Sequence, residues 1–433
     1  MQLTIEKLVY GGDGLARLPA DEHGPGKAVF VPFVLEGERI EASLLEQKRG
    51  FARGKVEAIL QASPHRGEPE CPYFRHCGGC HYQHISYEHQ LEVKAAILRE
   101  NLRRIAKIEL ETTIKIHPSP PWNYRNRSRL QIRMAPEFTL GYFKLSSHEV
   151  LPVEQCPISS PLINRAVAAF WRMGREHSVP DGIHQIEFFA NADDTQLLIE
   201  ASSEPGTSNT QVKEWAATLP NTLPELAGIV VFEAEISTTT GIAVGTRSAG
   251  SGARELIYQT DDAPYQVSAG SFFQVNRYLI NELAKIVAGE REGETVLDLY
   301  AGVGLFSTVL SRRFAQVIAV ESSQTSYADL LQNSPSNVKA FQATTADFLR
   351  SPGSKSRPDL VVVDPPRSGL GETVVRSLVG LGAHQMTYIS CDPATASRDL
   401  AGLLSAGYRI EQVHLVDLFP QTYHLESVFH LSR

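Results

Sequence analysis

The chain has 433 residues, 42% hydrophobic and 21% charged, with a formal net charge of −8. That length exceeds one ordinary domain, and the composition is that of a soluble globular protein with two or three of them. No apolar run could span a bilayer, and the N-terminus MQLTIEKLVYGGDG lacks a signal peptide's apolar core, so a cytoplasmic protein without a membrane partner is expected.

Residues 1–61 read as five short strands between glycine turns: LTIEKLVYG, LARL, KAVFVPF, RIEASLLEQKRG and FARGKVEAIL. So many strands in so short a stretch predict a small closed barrel of the oligonucleotide-binding (OB-like) kind. Lys48, Arg49 and Arg53 on its last hairpin favour RNA over a purely structural barrel.

The break SPHRGEPECP opens a cysteine segment, Cys71-x5-Cys77-x2-Cys80, and Cys156 stands downstream as a candidate fourth ligand. Four thiolates suit zinc or a [4Fe–4S] cluster, and the spacing alone does not choose. Disulfides are not expected in a reducing compartment. Cys391 is then left as the one separate thiol.

An amphipathic helix is predicted over Ser86 to Lys107, with Leu91, Ala95, Leu98, Leu102 and Ile105 as its apolar stripe. It begins a basic run from Lys94 to Arg133, in which ten basic side chains face three glutamates. On the helix such a run could be a solvated face. In YRNRSRLQIR the spacing differs: Arg125, Arg127, Arg129 and Arg133 alternate, as on one face of a strand, which would make a phosphate-binding row. Mixed strand and helix patterns continue to about Gln266, predicting a central α+β domain over 62–268. From 269 to 433, apolar strands alternate with helices, predicting an α/β Rossmann-like domain with its chemistry beyond the strands' carboxyl ends.

Four motifs fall there. Asp298-Leu-Tyr-Ala-Gly-Val-Gly-Leu305 lies between a strand and a helix, and its Gly302 and Gly304 allow close backbone approach. An acid ahead of two glycines suits a cationic adenosyl-sulfonium better than a pyrophosphate, and Glu321 ends the next strand where an acid can accept ribose hydroxyls. Asp364-Pro-Pro-Arg-Ser-Gly369 holds an acid at a strand end, as in methyltransferases acting on planar nitrogenous groups. Cys391 follows the strand MTYIS, before a helix start whose dipole is expected to lower its pKa. Glu426 lies just inside an apolar strand, where burial would raise its pKa and suit it to be a base.

Methylation of carbon 5 of uracil needs these parts together. A thiolate adds at carbon 6, carbon 5 then attacks an electrophilic methyl group, and a base removes the carbon 5 proton before elimination. The target base must leave any stack. An RNA-binding protein with a vestigial catalytic domain is countered by the intact Cys391, Glu426 and glycine loop. A DNA cytosine-5 methyltransferase would carry Pro before the thiol, where Ser390 stands, so DNA is not the expected partner.

The motifs CPYFRHCGGC, SFFQVN, DLYAGVG, DPPRSGL, SCDPAT and HLESV resemble the RNA (uracil-5-)methyltransferase family, in its bacterial 23S rRNA branch with an N-terminal TRAM domain. The resemblance covers essentially the whole chain. It implies a multidomain protein, S-adenosyl-L-methionine as methyl donor, and a [4Fe–4S] cluster on Cys71, Cys77, Cys80 and Cys156. It also implies Cys391 as nucleophile, Glu426 as base, and donor contacts from Gln274, Tyr300, Glu321, Asp347 and Asp364. Leu305 stands where relatives often have Asn, and Asp392 where Asn is common. Relatives pack the helix near 90–110 on the catalytic domain. The expectation is a monomer acting on 23S rRNA, with a tRNA T-loop uridine as the alternative substrate.

Overall fold

The computed structural model describes residues 1–19, 26–233, 246–351 and 357–433. Strands β1 (Gln2–Thr4), β2 (Lys7–Leu8), β3 (Asp13–Arg17), β4 (Ala28–Pro32), β5 (Arg39–Gln47) and β6 (Phe51–Gln61) form the N-terminal sheet, ordered β1-β5-β6-β4-β3-β2. Alternation builds its core, with Ala16, Val29, Val31, Ile40 and Ala52 inside. The expected first strand is two, because the chain changes partner midway. Ile5 N–H donates to Glu38 and Glu6 N–H to Leu15, so β1 pairs with β5 and β2 with β3.

Helix α1 (Tyr87–Asn101) continues as a π-helical turn over Leu102–Ala106, which Lys107 stops in the left-handed conformation. Its buried face is Gln90, Val93, Lys94, Ile97 and Leu98, rotated from the expected stripe, and Ile105 is exposed. Strand β7 (Ile114–His117) follows.

The central sheet contains β8 (Arg127–Arg133), β9 (Thr139–Phe143), β10 (Val150–Pro152), β11 (Ile183–Ala190), β12 (Leu197–Ser203), β13 (Leu226–Glu233) and β14 (Thr246–Gly252). Helices α2 (Pro161–Arg175) and α3 (Asn209–Thr222) bring Phe170, Trp171 and Trp215 onto its Leu130, Ile132 and Phe188. Hairpin β15 (Glu255–Gln259) and β16 (Pro264–Ser268) comes next.

The C-terminal part runs α4 (Ile280–Ala288), β17 (Gly293–Leu299), α5 (Leu305–Leu310), β18 (Phe314–Glu321), α6 (Gln324–Asn333), β19 (Val338–Gln342), α7 (Thr345–Arg350), β20 (Leu360–Val363), α8 (Gly371–Leu381), β21 (Gln385–Ser390), α9 (Pro393–Ser405), β22 (Arg409–Val416) and β23 (Glu426–Ser432). Its sheet is ordered β19-β18-β17-β20-β21-β23-β22-β7. Only β23 runs antiparallel to its neighbours. The order reverses between β17 and β20, which opens a crevice beyond their carboxyl ends. Two pieces of the 62–268 stretch belong with this part: β7 pairs with β22, and Leu256, Tyr258, Tyr265 and Val267 share its core.

The loop from Asp417 to Leu425, between β22 and β23, is fixed from outside. Lys94 Nζ lies 2.6 Å from Asp417 Oδ1, both side chains fully buried, and donates to Phe419 O at 2.9 Å. Tyr87 Oη donates to the other Asp417 oxygen at 3.0 Å. Gln90 and Gln421 exchange two hydrogen bonds, and Tyr124 Oη donates to Pro420 O at 3.0 Å. Lys94, which the basic run placed on a charged surface, is therefore a core residue.

Removing one partner of such a pair strands the other charge in protein. Lys94→Met or Asp417→Asn alone is expected to cost about 3–5 kcal/mol, and the Lys94→Met/Asp417→Leu double variant much less. Denaturant unfolding of the three variants measures this; equal losses in all three would refute it.

Candidate active site

The register between β21 and β23 sets the geometry. Ser390 pairs with Ser427, and Ser427 Oγ donates to Ser390 O at 3.1 Å. One step further along the same register, Cys391 stands opposite Glu426. Asp364 follows β20, next to β21, at the same edge of the sheet.

The electrostatics of this edge are unfavourable to charge. Burial first, then Glu426 and Asp364, push the Cys391 thiol up to about 12, against the opposing pull of Arg367 and a backbone hydrogen bond. The expected lowering by the helix start is thus overturned. The reason is burial, which penalises the thiolate; Asp392 caps α9, accepting from the N–H groups of Ala394 and Thr395, both at 2.9 Å. Glu426 is 5% exposed, and burial with Asp364 beside it raises its carboxyl well above the usual range, as expected for a base. Asp364 is raised by burial in turn.

The glycine loop lies alongside. Tyr300, Gly302 and Gly304 all take positive φ, at 63°, 56° and 95°, making a tight cradle at the N-terminus of α5. Glu321 braces it, accepting from Gly302 N–H at 2.9 Å and Ser323 N–H at 2.6 Å. Asp298 is fully buried beneath; burial lifts it to about 7 although Ser307 Oγ donates to it at 2.5 Å, and its Oδ1 has no partner. Gln274 is partly buried, and its carbonyl accepts from Asn126 at 3.3 Å. Asp347 departs from the group. Its carboxylate is 61% exposed, accepts from Thr344 Oγ1 at 2.6 Å and pairs with Arg350 at 2.5 Å. The adjacent Thr345, buried, is the residue that bonds Tyr300.

Three side chains at this edge were not singled out from the sequence. Arg367 lay within the quoted DPPRSGL motif but was given no role. Its loop is held close to α9: Leu370 N–H donates to Asp399 at 2.6 Å, and a Cβ on Gly369, at φ 75°, would come within 2.4 Å of that carboxylate. Asp298 was read only as part of the glycine motif. Tyr10, whose hydroxyl donates to Cys391 O at 3.1 Å, comes from the barrel and carried no chemical signal beyond a glycine turn.

The other four cysteines meet at one cavity of about 150 Å³, shared with Phe74, Gln83, Arg125, Arg129 and Tyr142. Burial raises Cys71, Cys77 (to about 11) and Cys80, and the Cys156 thiol raises each further. Among the described residues no three His, Cys, Asp or Glu side chains are gathered for a single metal ion. The donors instead surround a space.

The arginine row is partly compensated. Ser128, Leu130 and Ile132 point into the core and the arginines to the other face, as the alternation predicted. Arg127, however, pairs with Glu187 and reaches Glu200, donates to Ser271 O and packs over Phe189, so it is structural. Arg129 also bonds Glu187, at 2.8 Å, while remaining 53% exposed. Burial works against Glu187, yet the two guanidiniums hold it below the usual carboxylate range. Arg125 donates to Arg127 O at 2.8 Å, and Arg133 is exposed. On the barrel, Lys48, Arg49 and Arg53 are exposed around Phe51. No described helix is long and apolar enough to cross a membrane.

Known proteins share this architecture. An uncharacterized RNA methyltransferase of Caldanaerobacter subterraneus subsp. tengcongensis is 31% identical, over 100% of this chain and 98% of its own. Another, of Aquifex aeolicus, is 34% identical, over 99% of this chain and 97% of its own. The tRNA (uracil-54, C5)-methyltransferase of Pyrococcus abyssi, solved in complex with S-adenosyl-L-homocysteine, covers 100% of both chains at 24% identity with a TM-score of 0.77, and so has the same fold. The TRAM domain family matches residues 1–56. Since the tRNA (uracil-5-)-methyltransferase family matches residues 86–349 and 354–433, the chain belongs to that family of RNA methyltransferases and carries an N-terminal TRAM domain.

Proposed function

We propose that this enzyme methylates carbon 5 of a uridine in 23S rRNA, with Cys391 as nucleophile and Glu426 as base. The observation that carries the reading is the β21–β23 register, which opposes a thiol to a buried, protonatable carboxylate at the crevice. Cys391 Sγ, its proton given up to solvent, adds as the thiolate to carbon 6 of the uracil, and the carbon 5–carbon 6 π pair shifts to leave carbon 5 nucleophilic. S-adenosyl-L-methionine, when bound, supplies the methyl group that carbon 5 takes. Glu426 then accepts the carbon 5 proton, and the carbon–sulfur bond breaks to free the thiol. Tyr300, Gly302, Gly304, Glu321 and Asp364 would hold the donor, with Gln274 at the rim. Asp347 has a weaker claim, because its carboxylate is already committed to Thr344 and Arg350. Lys48, Arg49, Arg53, Arg125, Arg129 and Arg133 would hold RNA.

Substrate choice has a second reading, a T-loop uridine of tRNA. The barrel and the four cysteines together favour rRNA by family resemblance, yet the fold of a tRNA enzyme covers this chain from end to end. What remains for rRNA is the cysteine segment. We expect a strain lacking the gene to lose 5-methyluridine from 23S rRNA, the wild-type gene to restore it and Cys391→Ala not to. Loss from tRNA alone would move the assignment, and restoration by Cys391→Ala would sink the mechanism. Glu426→Gln is expected to stall as a covalent RNA adduct resistant to denaturing gels.

The four cysteines, which line one cavity, would hold a [4Fe–4S] cluster, as the family resemblance implies. Protein purified without oxygen should contain about four irons per chain. Stoichiometric zinc without iron would overturn the cluster.

A cationic sulfonium fits the carboxylates around the loop. Between its ordinary value of 3.8 and about 7, Asp298 keeps a proton in the folded chain that the unfolded chain has released. Stability should therefore fall as pH rises through that window and level off above it. Asp298→Asn is expected to make the fall shallower. S-adenosyl-L-methionine should do so more than S-adenosyl-L-homocysteine, whose sulfur is neutral. Thermal unfolding from about pH 4.5 to 8 measures both; identical slopes in all cases would refute the electrostatic reading.

A further inference from the structure

One hydrogen bond joins the barrel to the reaction centre, from Tyr10 Oη to the carbonyl of Cys391 at 3.1 Å. Tyr10 lies in the turn between β2 and β3. There Gly11 and Gly12 take φ of 107° and 94°, and Val9 N–H donates to Asp13 O at 2.9 Å. The turn is wedged against the cysteine segment: a Cβ on Gly12 would lie 3.1 Å from His81 Cβ. The Tyr10 ring meets Tyr423 edge-on, with centroids 5.4 Å apart, and Tyr423 packs on His81 at 4.6 Å and His424 at 4.2 Å. Barrel, cysteine segment and the loop leading to Glu426 thus meet in one aromatic cluster beside the thiol.

Tyr10 also lines a cleft of about 400 Å³ between the barrel and α1, with Phe30, Ile97, Arg104 and Ile105. Burial and then Asp392 raise its phenol above the ordinary value, so it stays a donor. Its acceptor is well placed to matter. Cys391 sits in a turn where Ser390 Oγ donates to Asp392 O at 3.0 Å and accepts from Asp392 N–H at 3.2 Å. Fixing the Cys391 carbonyl fixes the peptide that carries the thiol.

Taking Cys391 as the nucleophile of the preceding reading, we propose that Tyr10, reaching from the barrel, is a positioning residue that orients Cys391. Tyr10→Phe keeps the ring and removes only the donor. Its single-turnover rate constant with saturating RNA is expected to fall about tenfold, the scale of one lost hydrogen bond. KM for RNA should stay at the wild-type value, and the melting temperature should fall by no more than a few degrees. Tyr10→Ala, which also removes the ring from the aromatic cluster, should show at least the same fall. Adduct formation with RNA carrying 5-fluorouridine should slow in parallel in both variants.

A Tyr10→Phe enzyme with the wild-type single-turnover rate overturns the proposal. So does a slowed variant whose rate per folded chain matches the wild type. A wild-type protein that forms no adduct overturns the uridine reading itself, which separates the two failures.

Discussion

The buried Lys94–Asp417 pair is the contact on which the reaction centre's geometry depends. Two charges removed from water are tolerated only when each is matched, and here Tyr87, Phe419 and the pair itself satisfy the donors and acceptors. The pair ties α1, early in the chain, to the loop that delivers Glu426. A second tie comes from Gln90 and Gln421, and Gln421 O accepts from both His81 and Tyr82 N–H at 2.9 Å. Asn276 reaches the same loop, donating to Leu418 O at 3.2 Å. A loop bound from three directions cannot drift, so Glu426 enters β23 in one register.

That register places carboxylates where water cannot screen them. Asp298, Asp364 and Glu426 all lie at the carboxyl edge of one sheet, and their pKa values rise together. Arg367 is the cation that acts on the thiol and Glu426, and it does not cancel them. Positive charge arriving at such a site would draw these carboxyls back down. The same carboxylates that raise the Cys391 thiol would be matched by a cationic ligand, and their effect on it would weaken.

Much of this was legible in the sequence because strand-end motifs have local causes. Asp298, Gly302, Gly304, Asp364 and Cys391 each follow an apolar run, and a parallel sheet brings all such ends to one edge. Glu426 opposite Cys391 was less legible, since pairing register is set by tertiary contacts. The thiol's raised pKa was illegible for a related reason: burial and the approach of Glu426 and Asp364, both tertiary, outweigh the helix start that the sequence shows. Lys94 and Arg127 were counted as surface cations because their partners, Asp417 and Glu187, are distant in sequence. Tyr10 had no local signal at all. Its role depends on how the barrel docks.

The same compensation narrows where RNA can be held. An overall charge of −8 demands local basic surface, and Arg127 is already spent inside the central domain. Arg129 keeps half of its surface open beside the cysteine cavity, and Arg125 lines that cavity with it. The cysteine segment is thereby placed between the central domain's guanidiniums and His81, which packs on Tyr423 in the aromatic cluster beside Cys391. A rigid group within that segment would hold both ends at a fixed separation. On this view the four cysteines matter for where phosphates and target base sit relative to each other, and need take no part in the methyl transfer.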